Sequence, residues 1–257
     1  MAVVNVTPDS FFAPSRAPGV DEAIDRGRVL AAEGAAVLDV GGESTRPGAT
    51  PVAEDVELAR VVPVVAGLAG AARVSVDTTK PAVARAAVDA GATLLNDVAG
   101  RLAPLASELG VGWVAMHHRG IPAARADPPM GPGVVGEVAA HVLDAARAAR
   151  ELGVAEVYVD PGIGFGKSAA ENLALLAHLD ELCATAHDEG FGVLVGASRK
   201  RFLGALPHGG PLDAENRFEG SLAVAVWAMV CGVDVVRVHD VAATVQAASL
   251  VSDGEAA

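Results

Sequence analysis

The feature that most constrains the fold is an alternation of short, β-branched apolar runs with longer Ala-rich segments of helical periodicity. The eight apolar runs are AVVNV (2–6), AVLDV (36–40), RVSVD (73–77), TLLND (93–97), GWVAM (112–116), EVYVD (156–160), GVLVG (192–196) and DVVRV (234–238). Apolar runs without polar alternation are typical of strands that are buried on both faces of a sheet. Eight such strands, each followed by a helical segment, predict a parallel (β/α)8 TIM barrel, with a doubly wound sheet as the alternative.

Length and composition are consistent with a single barrel domain over residues 1–257, whose tail we expect to fray after about residue 251. The chain is 51% hydrophobic, and its net charge of −13 argues against nucleic acid or an anionic membrane as a partner. Its two cysteines, Cys183 and Cys231, lack metal-ligand spacing and are expected to be free thiols. No apolar stretch is long enough to span a bilayer, which indicates a cytoplasmic protein.

Polar residues recur at or just after the C-terminal ends of the predicted strands, which form the active-site mouth of a barrel. They are Asn5, Asp39, Asp77, Asn96, Asp97, His117 (which directly follows the apolar Met116), Asp160, Ser198, Lys200, Arg237 and His239. Carboxylates are costly to bury unless they are paired or hydrogen-bonded, so their convergence on one mouth indicates a functional site. Asp39 and Asp97 are expected to orient the residues that touch a ligand.

The chemistry of these side chains points to two kinds of ligand group. Asp77, Asn96 and Asp160 suit the donor edge of a flat heterocycle, which a carboxylate binds well through paired hydrogen bonds. The last strands and the first become neighbours when a barrel closes, and their residues would form the cation cluster that an acidic protein needs to bind phosphate. That second group comprises Lys200, Arg237, His239 and Asn5.

The stretch YVDPGIGFGKSAAEN, at residues 158–172, has the look of a nucleotide phosphate loop but fails both common patterns. The Walker A motif needs a glycine where this chain has Pro161, and the G-x-G-x-G spacing does not fit the dinucleotide fingerprint. We therefore expect Asp160 to be the functional residue of this stretch, with the glycines allowing a sharp turn. Lys167 is expected to be a solvated residue at the start of a helix.

Eight motifs follow one another in the order seen in dihydropteroate synthases, and the resemblance runs from residue 2 to about residue 241. They are MAVVNVTPDSFF, LDVGGESTRPGA, VSVDT, LLNDVAG, MHHRGIP, DPGIGFGK, LVGASRKRFLG and VRVHDV. The resemblance implies a transferase of folate biosynthesis that is a sulfonamide target and a homodimer. Its reaction condenses 6-hydroxymethyl-7,8-dihydropterin diphosphate with p-aminobenzoate, giving 7,8-dihydropteroate and diphosphate by a dissociative substitution.

The resemblance also implies roles for individual residues. The pterin would be held by Asp77, Asn96, Asp160 and Lys200. The diphosphate would be held by Asn5, Arg237 and His239, with Asn5 also a ligand of Mg²⁺. The p-aminobenzoate site and its loops would include Phe11, Thr45, Arg46, Pro47 and Ser198. Catalysis would depend on Asp77, Lys200, Arg237 and His239.

The sequence departs from the family in the first loop, where TPDSF is usually followed by Ser-Asp-Gly-Gly and this chain has residues 12–15 as Phe-Ala-Pro-Ser. A stiffer loop would alter p-aminobenzoate handling and turnover, because such loops order around the substrate. Family members also usually begin with a short segment before the first strand, which this sequence lacks.

Three other functions are weighed against this one. Methyl transfer from a folate to a corrinoid protein would share the pterin-binding carboxylates but would not need SRKRFLG or the Arg237-x-His239 pair. A Schiff-base aldolase would need Lys200 within an apolar strand rather than beside two arginines. A non-catalytic paralogue is favoured only by the altered first loop.

Overall fold

The chain forms a closed barrel of parallel strands in the computed structural model, which describes residues 1–6, 19–44, 49–119, 129–205 and 211–255. Its strands pair side by side in chain order. They are β1 (Ala2–Asn5), β2 (Val37–Gly41), β3 (Arg73–Asp77), β4 (Leu94–Asp97), β5 (Gly112–Met116), β6 (Val157–Asp160), β7 (Gly192–Val195) and β8 (Val235–Val236). The predicted barrel is confirmed, and the doubly wound alternative is wrong because its strand order would reverse within the sheet.

The barrel closes where the chain passes β8 and meets β1 again. Ala2 bridges Val238 in parallel, the Val3 N–H donates to the Val238 carbonyl at 3.0 Å, and the Val238 N–H donates to the Met1 carbonyl at 2.9 Å. This closure brings the end of β8 beside the end of β1, so residues from the two ends of the sequence share one mouth.

Helices cover the outside of the barrel in the described ranges. They are α1 (Val20–Ala32), α2 (Glu54–Leu68), α3 (Pro81–Asp89), α4 (Ala103–Leu109), α5 (Val134–Glu151), α6 (Ala169–Ala177), α7 (Leu179–Asp188), α8 (Phe218–Val230) and α9 (Val241–Glu255). Two helices rather than one follow β6, because the chain breaks at His178. The structure continues α9 to Glu255, beyond residue 251, where we expected the tail to fray.

No helix of the described ranges is both apolar enough and long enough to cross a membrane. Pro81 occupies the first turn of α3, where the missing N–H of proline costs no helical hydrogen bond.

The apolar residues form two separate clusters. The larger one lies between the strands and the helices, and the smaller one fills the barrel interior with Leu94, Val114 and Leu194. The N-terminal end of the interior is closed by Arg73, whose guanidinium bonds the Glu156 carboxylate at 2.7 and 2.5 Å. Because apolar packing occupies only this end, the C-terminal half of the interior is left for polar side chains.

Candidate active site

Strand register lines up several of the predicted site residues at the C-terminal mouth. Asn5 pairs with Gly41, Gly41 with Asp77, and Asp77 with Asn96, so one row of the sheet carries all four. Asp160 ends β6 opposite Met116, further around the barrel. The row explains why side chains that are far apart in sequence can face a single ligand.

Arg237 connects two carboxylates inside this mouth. Its Nε donates to Asp39 Oδ2 at 2.6 Å and its Nη2 donates to Asp77 Oδ2 at 2.9 Å. Asp39, which is fully buried, also accepts a hydrogen bond from Asn96 Nδ2 at 2.9 Å. In this arrangement Arg237 lies among the carboxylates expected to hold the pterin, and Asp39 positions both Arg237 and Asn96.

Asp39 has one carboxylate oxygen with unused hydrogen-bonding capacity. Its Oδ1 is buried and has no partner among the described residues. A buried carboxylate oxygen without a donor is unfavourable, so the site is suited to a ligand that brings N–H groups into it.

The Asp77 carboxyl is tuned to change its charge near neutral pH. Burial raises its pKa to about 7; the Arg237 charge acts in the opposite direction, while the negative charges of Asp39 and Glu57 add to the rise. The Arg237 guanidinium therefore pairs with both Asp39 and Asp77, and Asp77 ionises less readily than an ordinary carboxyl group.

The segment after β6 folds around Asp160. The Gly162 N–H donates to Asp160 Oδ1 at 2.7 Å, and Gly162, Gly164 and Gly166 all have positive φ, of 64°, 85° and 70°. Burial raises the pKa of Asp160, and the nearby Lys200 charge is the main opposing cause. The expected sharp glycine turn beside this carboxylate is confirmed.

Lys200 reaches across to this segment from the end of β7. Its ammonium donates to the Ile163 carbonyl and lies 4.4 Å from the centre of the Phe165 ring. Burial lowers the pKa of Lys200 to about 8, against the charge of Asp160, which raises it. Sequence reasoning did not identify Phe165 as a site residue, because an aromatic residue inside a run of glycines gives no separate signal.

Ser198 and His239 meet across β7 and β8. The His239 backbone N–H donates to Ser198 Oγ at 3.2 Å, and His239 Nδ1 lies 3.0 Å from the same oxygen. Between Ser198 and Lys200, Arg199 adopts a positive φ of 61°, which only glycine adopts without cost. Its guanidinium binds both Asp240 carboxylate oxygens, at 3.0 and 2.5 Å, and so fixes the turn that carries its two neighbours.

A charged cluster lies behind the mouth, around Lys80. Its ammonium pairs with Glu43 and with the fully buried Glu57, which also accepts a hydrogen bond from Thr78 Oγ1 at 2.6 Å. Glu43 Oε1 accepts from the Val52 N–H at 3.1 Å. Lys80 therefore neutralises the acidic groups Glu43 and Glu57 at the rim.

Lys167 differs from expectation, because its ammonium is turned inward rather than solvated. It donates to the Gly162 carbonyl at 2.8 Å and to the His117 carbonyl at 3.3 Å. Burial lowers the pKa of Lys167 to about 7. Nothing in the sequence indicates this orientation, since a lysine at a helix start is usually exposed.

Asp97 and His117 take structural positions. Both Asp97 oxygens accept backbone N–H groups of the following turn, from Ala99 at 3.0 Å, Arg101 at 2.5 Å and Leu102 at 2.6 Å. His117 is buried beside His141, and burial lowers its pKa to about 3. Four predicted site residues, Phe11, Thr45, Arg46 and Pro47, lie outside the described residues.

Comparison with known proteins shows the family to which this chain belongs. The sequence matches the family described as pterin binding enzyme over residues 1–239. It is 44% identical to the dihydropteroate synthase of Mycobacterium leprae, covering 98% of this chain and 91% of that protein.

Two solved structures have the same fold. One is the Xanthomonas albilineans dihydropteroate synthase with 4-aminobenzoic acid, at 45% identity and a TM-score of 0.87, covering 100% of this chain and 92% of that one. The other is the Burkholderia cenocepacia dihydropteroate synthase complexed with 7,8-dihydropteroate, at 40% identity and a TM-score of 0.83, covering 99% and 90%. This chain belongs to the dihydropteroate synthases of the pterin-binding enzyme family.

Proposed function

We propose that this chain joins p-aminobenzoate to 6-hydroxymethyl-7,8-dihydropterin diphosphate, forming 7,8-dihydropteroate and releasing diphosphate. The observation that carries the proposal is the polar interior around Asp39, Asp77 and Asn96, where a buried carboxylate oxygen lacks a donor. A pterin presents N–H groups along one edge of a flat ring, and such an edge satisfies carboxylate and amide acceptors together. Membership of the dihydropteroate synthases supports the same substrate.

The bond changes follow from the charges at the mouth. The C–O bond between the pterin methylene and the diphosphate breaks, and its electron pair leaves with the diphosphate. The Asp77 carboxylate stabilises the positive charge that develops on the pterin. The amino nitrogen of p-aminobenzoate then forms the C–N bond and gives up a proton to solvent.

Cationic side chains near the ends of β7 and β8 would receive the leaving diphosphate. Arg237 is bonded to Asp39 and Asp77 in the described structure, so substrate binding would exchange one of these carboxylates for phosphate oxygen. His239, held by Ser198, lies two residues further along. The bidentate geometry of a guanidinium suits such an exchange, because carboxylate and phosphate oxygens present similar acceptors.

A magnesium ion fits this mouth as part of the substrate complex. No cluster of three or more acidic, histidine or cysteine side chains that could hold a metal occurs within the described ranges. Mg²⁺ is commonly held by one or two protein oxygens together with substrate phosphates and water. The Asn5 amide oxygen at the end of β1 would be the protein ligand, and the ion would neutralise charge on the departing diphosphate.

One assay tests the proposal. The protein is mixed with Mg²⁺, the pterin diphosphate and p-aminobenzoate, and both dihydropteroate and released diphosphate are measured. We expect the two products in equal amounts. Pterin binding without any product would favour a non-catalytic paralogue, and methyl transfer from a methylated folate to a corrinoid protein would favour the other pterin-binding reaction. A sulfonamide that competes with p-aminobenzoate should inhibit the reaction.

We also propose that the protein is a cytoplasmic homodimer. An apolar surface on α8 and α9 supports the dimer: Trp227, Val230 and Leu250 are 48%, 59% and 74% exposed. Trp227 Nε1 donates to the Leu176 carbonyl at 2.7 Å, so its ring is held at the surface of α6. Exposed apolar residues of this size often mark an interface.

The dimer is tested by sedimentation equilibrium on the wild type and on Val230→Arg. A charge placed in the interface should shift the wild-type dimer to monomer, while Leu152→Arg, directly after α5 at a residue that is 51% exposed, serves as the matched control. A monomeric wild type, or equal behaviour of the two variants, would contradict this interface.

A further inference from the structure

Lys167 is a half-buried lysine that the proposed reaction does not use. Within the described structure its hydrogen bonds go to two backbone carbonyls, those of Gly162 and His117, and not to a carboxylate. Burying an ammonium costs free energy unless its charge is compensated, so a lysine in this position needs a reason.

The hydrogen bonds of Gly162 connect Lys167 with Asp160. The Gly162 carbonyl accepts from Lys167 at 2.8 Å, while the N–H of the same residue donates to Asp160 Oδ1 at 2.7 Å. His117 completes the arrangement, because its N–H donates to the Asp160 carbonyl at 3.0 Å and its own carbonyl accepts from Lys167. Lys167 thus ties the segment after β5 to the segment after β6, with Asp160 between them.

The backbone of Gly162 packs so closely against His117 that no side chain fits at residue 162. A Cβ on Gly162 would lie 1.8 Å from the His117 carbonyl oxygen, and the φ of Gly162 is +64°. The next turn is held as firmly, since the Gly164 N–H donates to the fully buried Asn172 at 2.6 Å and Lys200 bonds the Ile163 carbonyl. Gly162 is therefore held at both of its backbone groups: its N–H by Asp160, and its carbonyl by the Phe165 N–H at 3.1 Å together with the Lys167 ammonium at 2.8 Å.

We propose that Lys167 is a positioning residue for Asp160: together with the Phe165 N–H it fixes Gly162, whose own N–H orients the Asp160 carboxylate, and it places a positive charge near that carboxylate. The inference rests on the proposed role of Asp160 in binding the pterin. Burying the Lys167 ammonium costs free energy, and the contacts made in doing so keep the Asp160 carboxylate oriented toward the ligand. The proposal thus accounts for the inward direction of the lysine.

The electrostatics agree with this geometry. Apart from burial, which lowers the pKa of Lys167, the charge of Asp160 is the largest influence and acts to raise it. Asp160 is faced in addition by Lys200 and by Arg237 from β8, while Lys167 is faced by Lys200, by Glu171 of α6 and by Arg119. Removing the Lys167 charge alone should raise the pKa of Asp160, because the remaining groups stay in place.

The test measures binding of 6-hydroxymethyl-7,8-dihydropterin by titration calorimetry as a function of pH. The variants are Lys167→Met, which removes donors and charge, and Lys167→Gln, which keeps an N–H donor without charge. Ser168→Ala is the matched control, because Ser168 Oγ accepts the Glu171 N–H at 3.2 Å and caps α6 without touching Gly162. Asp160→Asn reports on the pterin role itself.

We expect Lys167→Met to weaken pterin binding by about 10- to 100-fold while leaving the KM for p-aminobenzoate unchanged. Binding needs an ionised Asp160, so affinity is lost as pH falls through the pKa of that group. In both Lys167 variants the pH at which pterin affinity is lost should be higher than in the wild type. Lys167→Gln should lose less affinity than Lys167→Met. Ser168→Ala should lower Tm without changing the pH at which pterin affinity is lost.

Three results would count against the inference. If Lys167→Met and Ser168→Ala change binding and pH profile alike, Lys167 only stabilises the segment. If both Lys167 variants bind pterin as the wild type does while Asp160→Asn does not, Lys167 does not position Asp160. If Asp160→Asn binds normally, the proposed pterin role is wrong and the inference falls with it. Lys167→Gln decides the matter should Lys167→Met fail to fold.

Discussion

At the scale of single residues, Asp77 combines two properties that are rarely found together. In the proposed reaction it carries a negative charge that stabilises a cationic pterin, yet burial disfavours that charge and raises the pKa of Asp77 to about 7. A carboxylate that is poorly solvated interacts more strongly with a developing positive charge than an exposed one does. The cost of its burial is therefore linked to its proposed function.

Replacing Asp77 with Asn should lower kcat far more than it lowers pterin affinity. The amide keeps the shape and one acceptor but loses the charge, and removing such a group typically costs about 10²- to 10³-fold in kcat. Steady-state kinetics together with direct pterin titration would measure both quantities. Equal losses of kcat and affinity would mean that Asp77 only binds the ring.

The pH dependence of kcat/KM offers a second measurement on the same residue. Because Asp77 is protonated below about pH 7, kcat/KM for the pterin diphosphate should fall as pH decreases through that value. The substrate has phosphate groups that also titrate, so Asp77→Asn is the control: its profile should lose this limb. A limb that persists in the variant belongs to the substrate or to another residue.

At the scale of elements, the sequence predicted most of the strands and helices but few of the side-chain orientations. The run EVYVD was expected to be a strand over 156–160, and β6 spans Val157–Asp160. Strand ends were predictable because a polar residue is least costly where a buried strand emerges from the core, although Asp39 and Ser75 lie fully buried within β2 and β3. The register that lines up Asn5, Asp77 and Asn96 follows from parallel pairing in chain order.

Several features could not be predicted because they depend on contacts between distant segments. The break between α6 and α7 at His178 lies in a run with neither glycine nor proline. The positive φ of Arg199 is stabilised by Asp240, which is far along the chain. The inward direction of Lys167 depends on carbonyl groups whose availability is decided only once the two neighbouring segments meet.

The turn after β6 should tolerate no side chain at Gly162. Gly162→Ala would place a methyl group 1.8 Å from the His117 oxygen in a backbone region that alanine disfavours. We expect a loss in the free energy of unfolding of about 2–4 kcal/mol, together with weakened pterin binding. Urea denaturation and pterin titration would measure the two effects.

Gly100 is the matched control for this substitution. Its φ is +68°, and apart from its two chain neighbours no described residue has an atom within 4 Å of a Cβ placed there. Gly100→Ala should therefore cost only the backbone term of about 1 kcal/mol and leave pterin binding unchanged. Similar costs at the two glycines would show that the segment after β6 can relax away from His117.

At the scale of the whole molecule, the division into an outer and an inner apolar cluster separates stability from chemistry. Helix-to-strand packing involves most of the buried apolar residues, whereas the interior cluster centres on Leu94, Val114 and Leu194. The polar mouth above them contributes little apolar burial and carries charges that are costly to bury. Substitutions there should change activity without unfolding the barrel.

Asp77→Asn tests this separation through the pH dependence of stability. Burial raises the folded-state pKa of Asp77 to about 7 from its ordinary value of 3.8, so ionisation of Asp77 destabilises the folded state above about pH 7. The penalty is relieved as pH falls between these two values. The free energy of unfolding of the variant should thus exceed that of the wild type by on the order of 1 kcal/mol at pH 8 and by less at pH 5, as measured by urea denaturation. A difference that does not vary with pH would contradict this assignment.

The inward placement of lysine has a practical consequence for chemical labelling. The chain has three lysines, Lys80, Lys167 and Lys200, and all of them bond groups around the mouth. With pKa values of about 7 and about 8, Lys167 and Lys200 are partly unprotonated amines at neutral pH, the form that attacks an acylating reagent. Among the lysines, acylation should therefore occur at groups of the proposed substrate site, whereas in most proteins the lysines lie on the surface.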